Sequence, residues 1–88
     1  MRPRQRKLVP RLETMRVALA PRNALEVLLV ERVVLTWLAL DVCETLYAGV
    51  LARQHGIREA DYAQRRVDAA QRRYLGSLAA LYRAQRQV

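Results

Sequence analysis

Apolar positions crowd the middle of the chain. Leu25, Val27, Leu28, Leu29, Val30, Val33, Val34, Leu35, Trp37, Leu38, Leu40, Val42, Leu46 and Tyr47 follow one another with no helix breaker before Gly49. At about 100° per residue they occupy nearly every direction around a helix axis, the pattern of a helix buried on most sides. Asn23, three residues before Glu26, offers the reciprocal cap that satisfies two orphan amides at a helix start. The expected stop is Gln54-His55-Gly56, with Gly56 in the left-handed C-cap conformation. The pattern predicts one helix of about 31 residues, roughly 45 Å long. Gly49 inside it costs about 1 kcal/mol relative to Ala, which marks a close helix contact or a mild bend.

Beyond the Gly56 turn the pattern changes. Between Arg58 and Arg86, the residues Ala63, Val67, Ala70, Tyr74, Leu78 and Leu81 fall in a stripe about 80° wide, with Leu75 and Tyr82 beside it. Glu59 and Asp61 sit in the first turn, where the helix dipole favours acids. Two helices of matched length across a short turn predict an all-α fold, a long antiparallel αα-hairpin. One partner cannot cover the whole circumference of the first helix. Self-association follows, most simply as a dimer in which two hairpins form a four-helix bundle. Leu28, Val34, Leu35, Trp37, Leu38 and Val42 are the expected interface residues. Glu26, Glu44 and Asp41 form an acidic edge on the apolar helix, expected to stay wet or meet Arg from the second helix or from a partner subunit.

Residues 1–22 read as a separate region from the hairpin of 23–88. Met1–Pro10 is expected as a mobile basic arm, because Pro3 and Pro10 interrupt hydrogen bonding and little of it is apolar. A short helix is expected from about Arg11 to Ala20, closed by Pro21, which pushes the residue before it out of the α region.

Composition narrows the function. Eighty-eight residues allow one small domain, and the 52% hydrophobic fraction excludes a disordered basic tail. The net charge of +8 comes from sixteen basic residues, of which only Lys7 is Lys. Its distribution is uneven. Residues 1–22 hold seven bases against Glu13; residues 23–47 hold Arg32 against Glu26, Glu31, Asp41 and Glu44; residues 48–88 hold eight Arg against Glu59, Asp61 and Asp68. Two positive blocks therefore flank an acidic, apolar middle.

The Arg65-Arg66 and Arg72-Arg73 pairs are seven residues apart, almost two helical turns, and superimpose on one face. With Arg58, Arg83 and Arg86 they make a basic ridge of the kind that a phosphate backbone attracts through counterion release. Arg2, Arg4, Arg6 and Lys7 of the arm are expected to join Arg65, Arg66, Arg72 and Arg73 in binding DNA or RNA. The competing reading is a solvated face whose Arg residues answer the protein's own acids, in a protein-interaction or scaffold module.

Chemistry beyond binding finds little support. Cys43 is the only cysteine, and His55, the only histidine, lies twelve residues or roughly 18 Å further along the same helix, too far for a dyad within one chain. Asp41 and Glu44 have helical metal-ligand spacing, but no His follows Glu44 as the Glu-x-x-His pattern needs. Trp37, Tyr74 and Tyr82 read as core or interface residues. No catalytic, metal or cofactor site and no small-molecule substrate is expected. The longest uncharged stretch of the apolar middle, Val33–Leu40, is far short of the roughly 20 residues of a spanning helix, and Leu8–Ala20 lacks a signal-peptide core. A cytoplasmic setting with a reduced thiol is expected.

The stretches ERVVLTWL at 31–38, continuing to Tyr47-Ala48, and QRRVDAAQRRYL at 64–75 resemble a group of small helical proteins from high-GC bacteria, a group with no assigned activity. The resemblance covers about residues 25–84, includes the spacing between the two blocks, and implies the two-helix body but no function. Arg58 stands where that group commonly has a capping Ser or Thr, and Gln71 where it commonly has His.

Overall fold

The structure, a computed structural model, describes residues 3–53 and 56–86, with side chains from residue 8 onward. Three helices follow in order: α1 (Pro3–Leu19), α2 (Ala24–Ala52) and α3 (Ile57–Arg86). No strand occurs among the described residues. Helices α2 and α3 pack along their length as the expected antiparallel hairpin, and α1 lies against α2.

The hairpin packs with heptad periodicity on both sides. In α3, Ala63, Val67, Ala70, Tyr74, Ser77, Leu81 and Ala84 alternate spacings of four and three residues, and all are buried or half-buried. In α2, Glu26, Leu29, Val33, Thr36, Leu40, Cys43, Tyr47 and Val50 do the same. Alternating small residues on α3 let α2 approach closely, since the separation of packed helices depends on the side chains at the contact. Halfway along, Thr36 and Ser77 join hydroxyls at 2.8 Å. One hydroxyl donates to the other, and the acceptor of that bond donates within its own helix, Thr36 having the Arg32 and Val33 carbonyls in reach and Ser77 the Tyr74 carbonyl, so the buried polar pair is satisfied. Ser77 lay outside the predicted apolar stripe. It enters the core because Thr36 faces it.

The fully buried core is Val30, Val33, Val34 and Leu81, with Leu12, Met15 and Leu19 of α1 packed against it. Helix α1 thus covers a flank of α2 that the sequence assigned to a second subunit. It begins at Pro3, well before the expected Arg11, so residues 3–10 are helical instead of an irregular arm. Pro10 sits inside it, where proline ordinarily costs about 3 kcal/mol. Burial of Leu12, Met15 and Leu19 offsets that cost. The helix ends where Pro21 predicted, but Ala20 enters the left-handed region (φ 46°) and donates to the Val17 carbonyl.

The two caps of α2 differ from expectation in detail. Asn23 is extended, and its Oδ1 accepts from the Glu26 N–H at 2.9 Å, the first half of the predicted cap. The Glu26 carboxylate reaches one residue further back than expected, accepting from the Arg22 N–H at 3.2 Å. At the other end α2 stops at Ala52, and no described glycine has a positive φ, so Gly56 is not a left-handed C-cap. Its carbonyl instead accepts from Glu59 and Ala60, which makes Gly56 the first cap of α3. Gly49 marks no close helix crossing: the nearest atoms to a Cβ there belong to the flexible end of Arg53.

The Cα frame measures 51 × 29 × 13 Å. With α1 and α3 packed on two of its sides, α2 keeps a bare face.

Candidate functional site

Two surfaces stand out, one on each helix of the hairpin and each turned away from that helix's buried face. The first is basic. At about 100° per residue, Arg58, Arg65, Arg72 and Arg83 project within about 40° of one another on the side of α3 opposite Ala70, with Arg66 and Arg73 on one flank. All six are exposed. Arg65 pairs with Asp61 one turn earlier, and the Arg66 guanidinium lies 5.9 Å from the Tyr62 ring centroid. Neither Arg72 nor Arg73 has an ion pair among the described residues. Of the other expected binding residues, Arg2 and the side chains of Arg4, Arg6 and Lys7 lie outside the described structure.

The second surface is apolar. Leu28, Leu35, Val42 and Leu46 project within about 40° of one another, opposite the fully buried Val33. They are 68%, 59%, 49% and 51% exposed. Leu28, Leu35 and Val42 are therefore on the surface as the sequence expected. Val34 is not, because at 2% exposure it is already spent in the core of its own chain. Leu38 is half-buried, and Trp37, also half-buried, lines a cleft with Pro10, Met15 and Tyr74, so it faces α1. Leu46 was missed as an interface residue, although it is four residues beyond Val42 on the same face.

Two acids of α2, Glu26 and Glu31, have Arg partners, and these lie outside α3. Glu26, 1% exposed, accepts from Arg22 Nε at 3.1 Å and from Asn23 Nδ2 at 3.2 Å. Arg22 also donates to the Gln85 carbonyl, and Gln85 Nε2 to the Leu19 carbonyl, both at 2.7 Å. This knot ties the end of α1, the start of α2 and the end of α3. Glu31 is bound by Arg16 of α1 at 2.8 Å, and Arg16 is shared with Glu13. The partners are thus Arg from residues 11–22, not from α3 as the sequence suggested. Glu44 is exposed.

These pairs set an acid response. Hydrogen bonds from Arg22 hold the Glu26 carboxyl below the ordinary 4.5, and those from Arg16 do the same for Glu31, in both cases against the opposing effect of desolvation. A carboxyl lowered on folding stabilises the fold above its unfolded value and loses that contribution as pH falls through the folded value. Melting temperature should therefore be level near neutrality and fall as pH drops below the ordinary carboxyl value, a fall in which the Glu31–Arg16 link between α1 and α2 is lost. Replacing Glu31 with Gln should flatten part of that fall. A melting temperature constant across the acid range would contradict the assignment.

Cys43 is half-buried on the hairpin seam, and His55 lies outside the described residues. No group of three His, Cys, Asp or Glu suited to a metal occurs among the described residues, and no described helix is long and apolar enough to cross a membrane. No family model, curated protein or solved structure matches the chain.

Proposed function

We propose that this chain is a non-enzymatic, self-associating helical module that binds a polyanion, nucleic acid through its phosphates, along the Arg ridge of α3. The observation that carries the reading is that the bare apolar strip of α2 and the Arg ridge of α3 lie on different helices, each turned away from the packed seam. Two hairpins that pair through Leu28, Leu35 and Val42 bring their α2 helices together as the inside of a bundle and leave both Arg ridges outward. Area supports the pairing. A compact monomer of 10.2 kDa exposes about 5,300 Å² by size scaling, whereas this chain exposes 6763 Å². The excess of roughly 1,400 Å² exceeds the approximately 800 Å² per partner of a standard interface. The single half-buried thiol suits a reducing compartment such as the cytoplasm.

Binding of this kind is directed to the backbone and has little sequence preference, because the ridge is mostly Arg and its two exposed aromatics, Tyr62 and Tyr82, each lie under an Arg. Anisotropy with a labelled DNA duplex should show log affinity falling linearly with log salt. Changing Arg65, Arg66, Arg72 and Arg73 together to Gln should weaken binding at least tenfold and reduce the salt slope by roughly 3 to 4. Helicity and sedimentation should not change, since all four side chains are exposed. Binding that is insensitive to salt would sink the reading. The scaffold alternative rests on the Arg65–Asp61 pair, which spends one ridge charge internally. Loss of the oligomer in the quadruple variant would favour that alternative.

A further inference from the structure

A cleft of about 430 Å³ opens between α2 and α3 at the end of the hairpin nearest its turn. Its volume is within the range of small-molecule sites, about 300–1,000 Å³. Leu46, Val50 and the buried Ala63 give it apolar walls, and the Cys43 thiol lies among them. Three guanidinium groups, Arg53, Arg58 and Arg66, line it against one carboxylate, Glu59, for a net local charge of +2. The course of two of these Arg is defined. Arg53 folds back along α2 so that its Nη2 comes within 3.3 Å of where a Cβ on Gly49 would stand, a course that this glycine leaves open. Arg66 lies over the Tyr62 ring, also part of the lining.

An apolar pocket with cationic side chains selects for a ligand that is both apolar and negative. A fully polar anion gains nothing from Leu46 and Val50, and a neutral hydrocarbon leaves the guanidinium groups without a partner. We propose that the cleft binds a single-chain amphiphile with one anionic headgroup, a fatty-acid-like carboxylate. Its alkyl chain lies between Leu46, Val50 and Ala63, and its headgroup accepts from Arg53 and Arg66. The cleft borders the polyanion ridge and shares Arg58 and Arg66 with it, but only the cleft adds an apolar wall and Arg53.

The test uses Cys43, the only thiol of the chain, as the reporter. Its alkylation by iodoacetamide is followed by mass spectrometry with decanoate, decanol or inorganic phosphate present, each below any micelle concentration, alongside calorimetric titration. Decanoate should slow alkylation saturably, with decanol needing at least about tenfold higher concentration and phosphate having no effect, since charge-assisted hydrogen bonds supply the difference. In the R53Q/R66Q variant, whose helicity is checked by circular dichroism, decanoate should bind at least about tenfold more weakly while decanol is unchanged. Equal affinity for decanoate and decanol, or binding of decanoate that leaves Cys43 unprotected, would overturn the proposal. So would protection of Cys43 that rises with protein concentration alone, which would make a second copy the occupant.

Discussion

If two copies pair as proposed, exchanging Leu35 and Val42 for Glu should leave a monomer with its helicity intact. Both side chains are about half exposed or more in the single chain, so the hairpin core does not feel their loss. In a symmetric pair each substitution occurs twice. Burying a Leu or Val contributes about 1.5–3 kcal/mol, and the four carboxylates introduced would be brought toward one another at the seam. The combined loss is at least about 4 kcal/mol, which weakens association by about a thousandfold. Sedimentation velocity over a range of concentrations measures it. The wild type should gain mass with concentration and the variant should not; a wild type that sediments as a monomer at every concentration would remove the seam from the account.

Leu81→Ala should be the most damaging single change inside the chain. Leu81 is 2% exposed and is the large α3 side chain that meets Val30, Val33 and Val34 of α2. Truncating such a residue costs about 2–5 kcal/mol, through lost transfer energy and an unfilled cavity. A domain of this size is stable by roughly 4–13 kcal/mol, so the loss is a large share of the whole. Leu75→Ala is the matched control, because Leu75 is 54% exposed and its truncation should cost well under 1 kcal/mol. Urea unfolding curves compare the two. Equal midpoints would mean that Leu81 does not occupy the core.

How far these features could be read in advance depends on whether each is local. Asn23 announces the start of α2, since a cap is built from residues three apart, and the 3.6-residue stripe of α3 marks its inward face before any partner is known. The Leu28, Leu35 and Val42 positions were equally open to reading, as were the exposed Arg pairs. Val34 was misassigned because a helix apolar on all sides carries no phase: its sequence cannot say which flank meets α3, which meets α1 and which stays bare. The partner of Glu31 was hidden for the same reason. Arg16 lies in a segment whose prolines concealed a helix, and α1 had to dock before it could reach Glu31; Arg22, only four residues before Glu26, pairs locally at the cap.

By itself, then, the order of polar and apolar residues determined an all-α hairpin, its cap at Asn23, its inward α3 face and its outward Arg, all of which follow from contacts within a few residues. Only the tertiary structure decided that α1 takes one flank of α2, that Thr36 meets Ser77, that Glu31 answers Arg16, and that a cleft opens beside Cys43. These depend on rotation and separation between helices. Side chains distant in sequence set those quantities jointly, by packing, and no local pattern contains them.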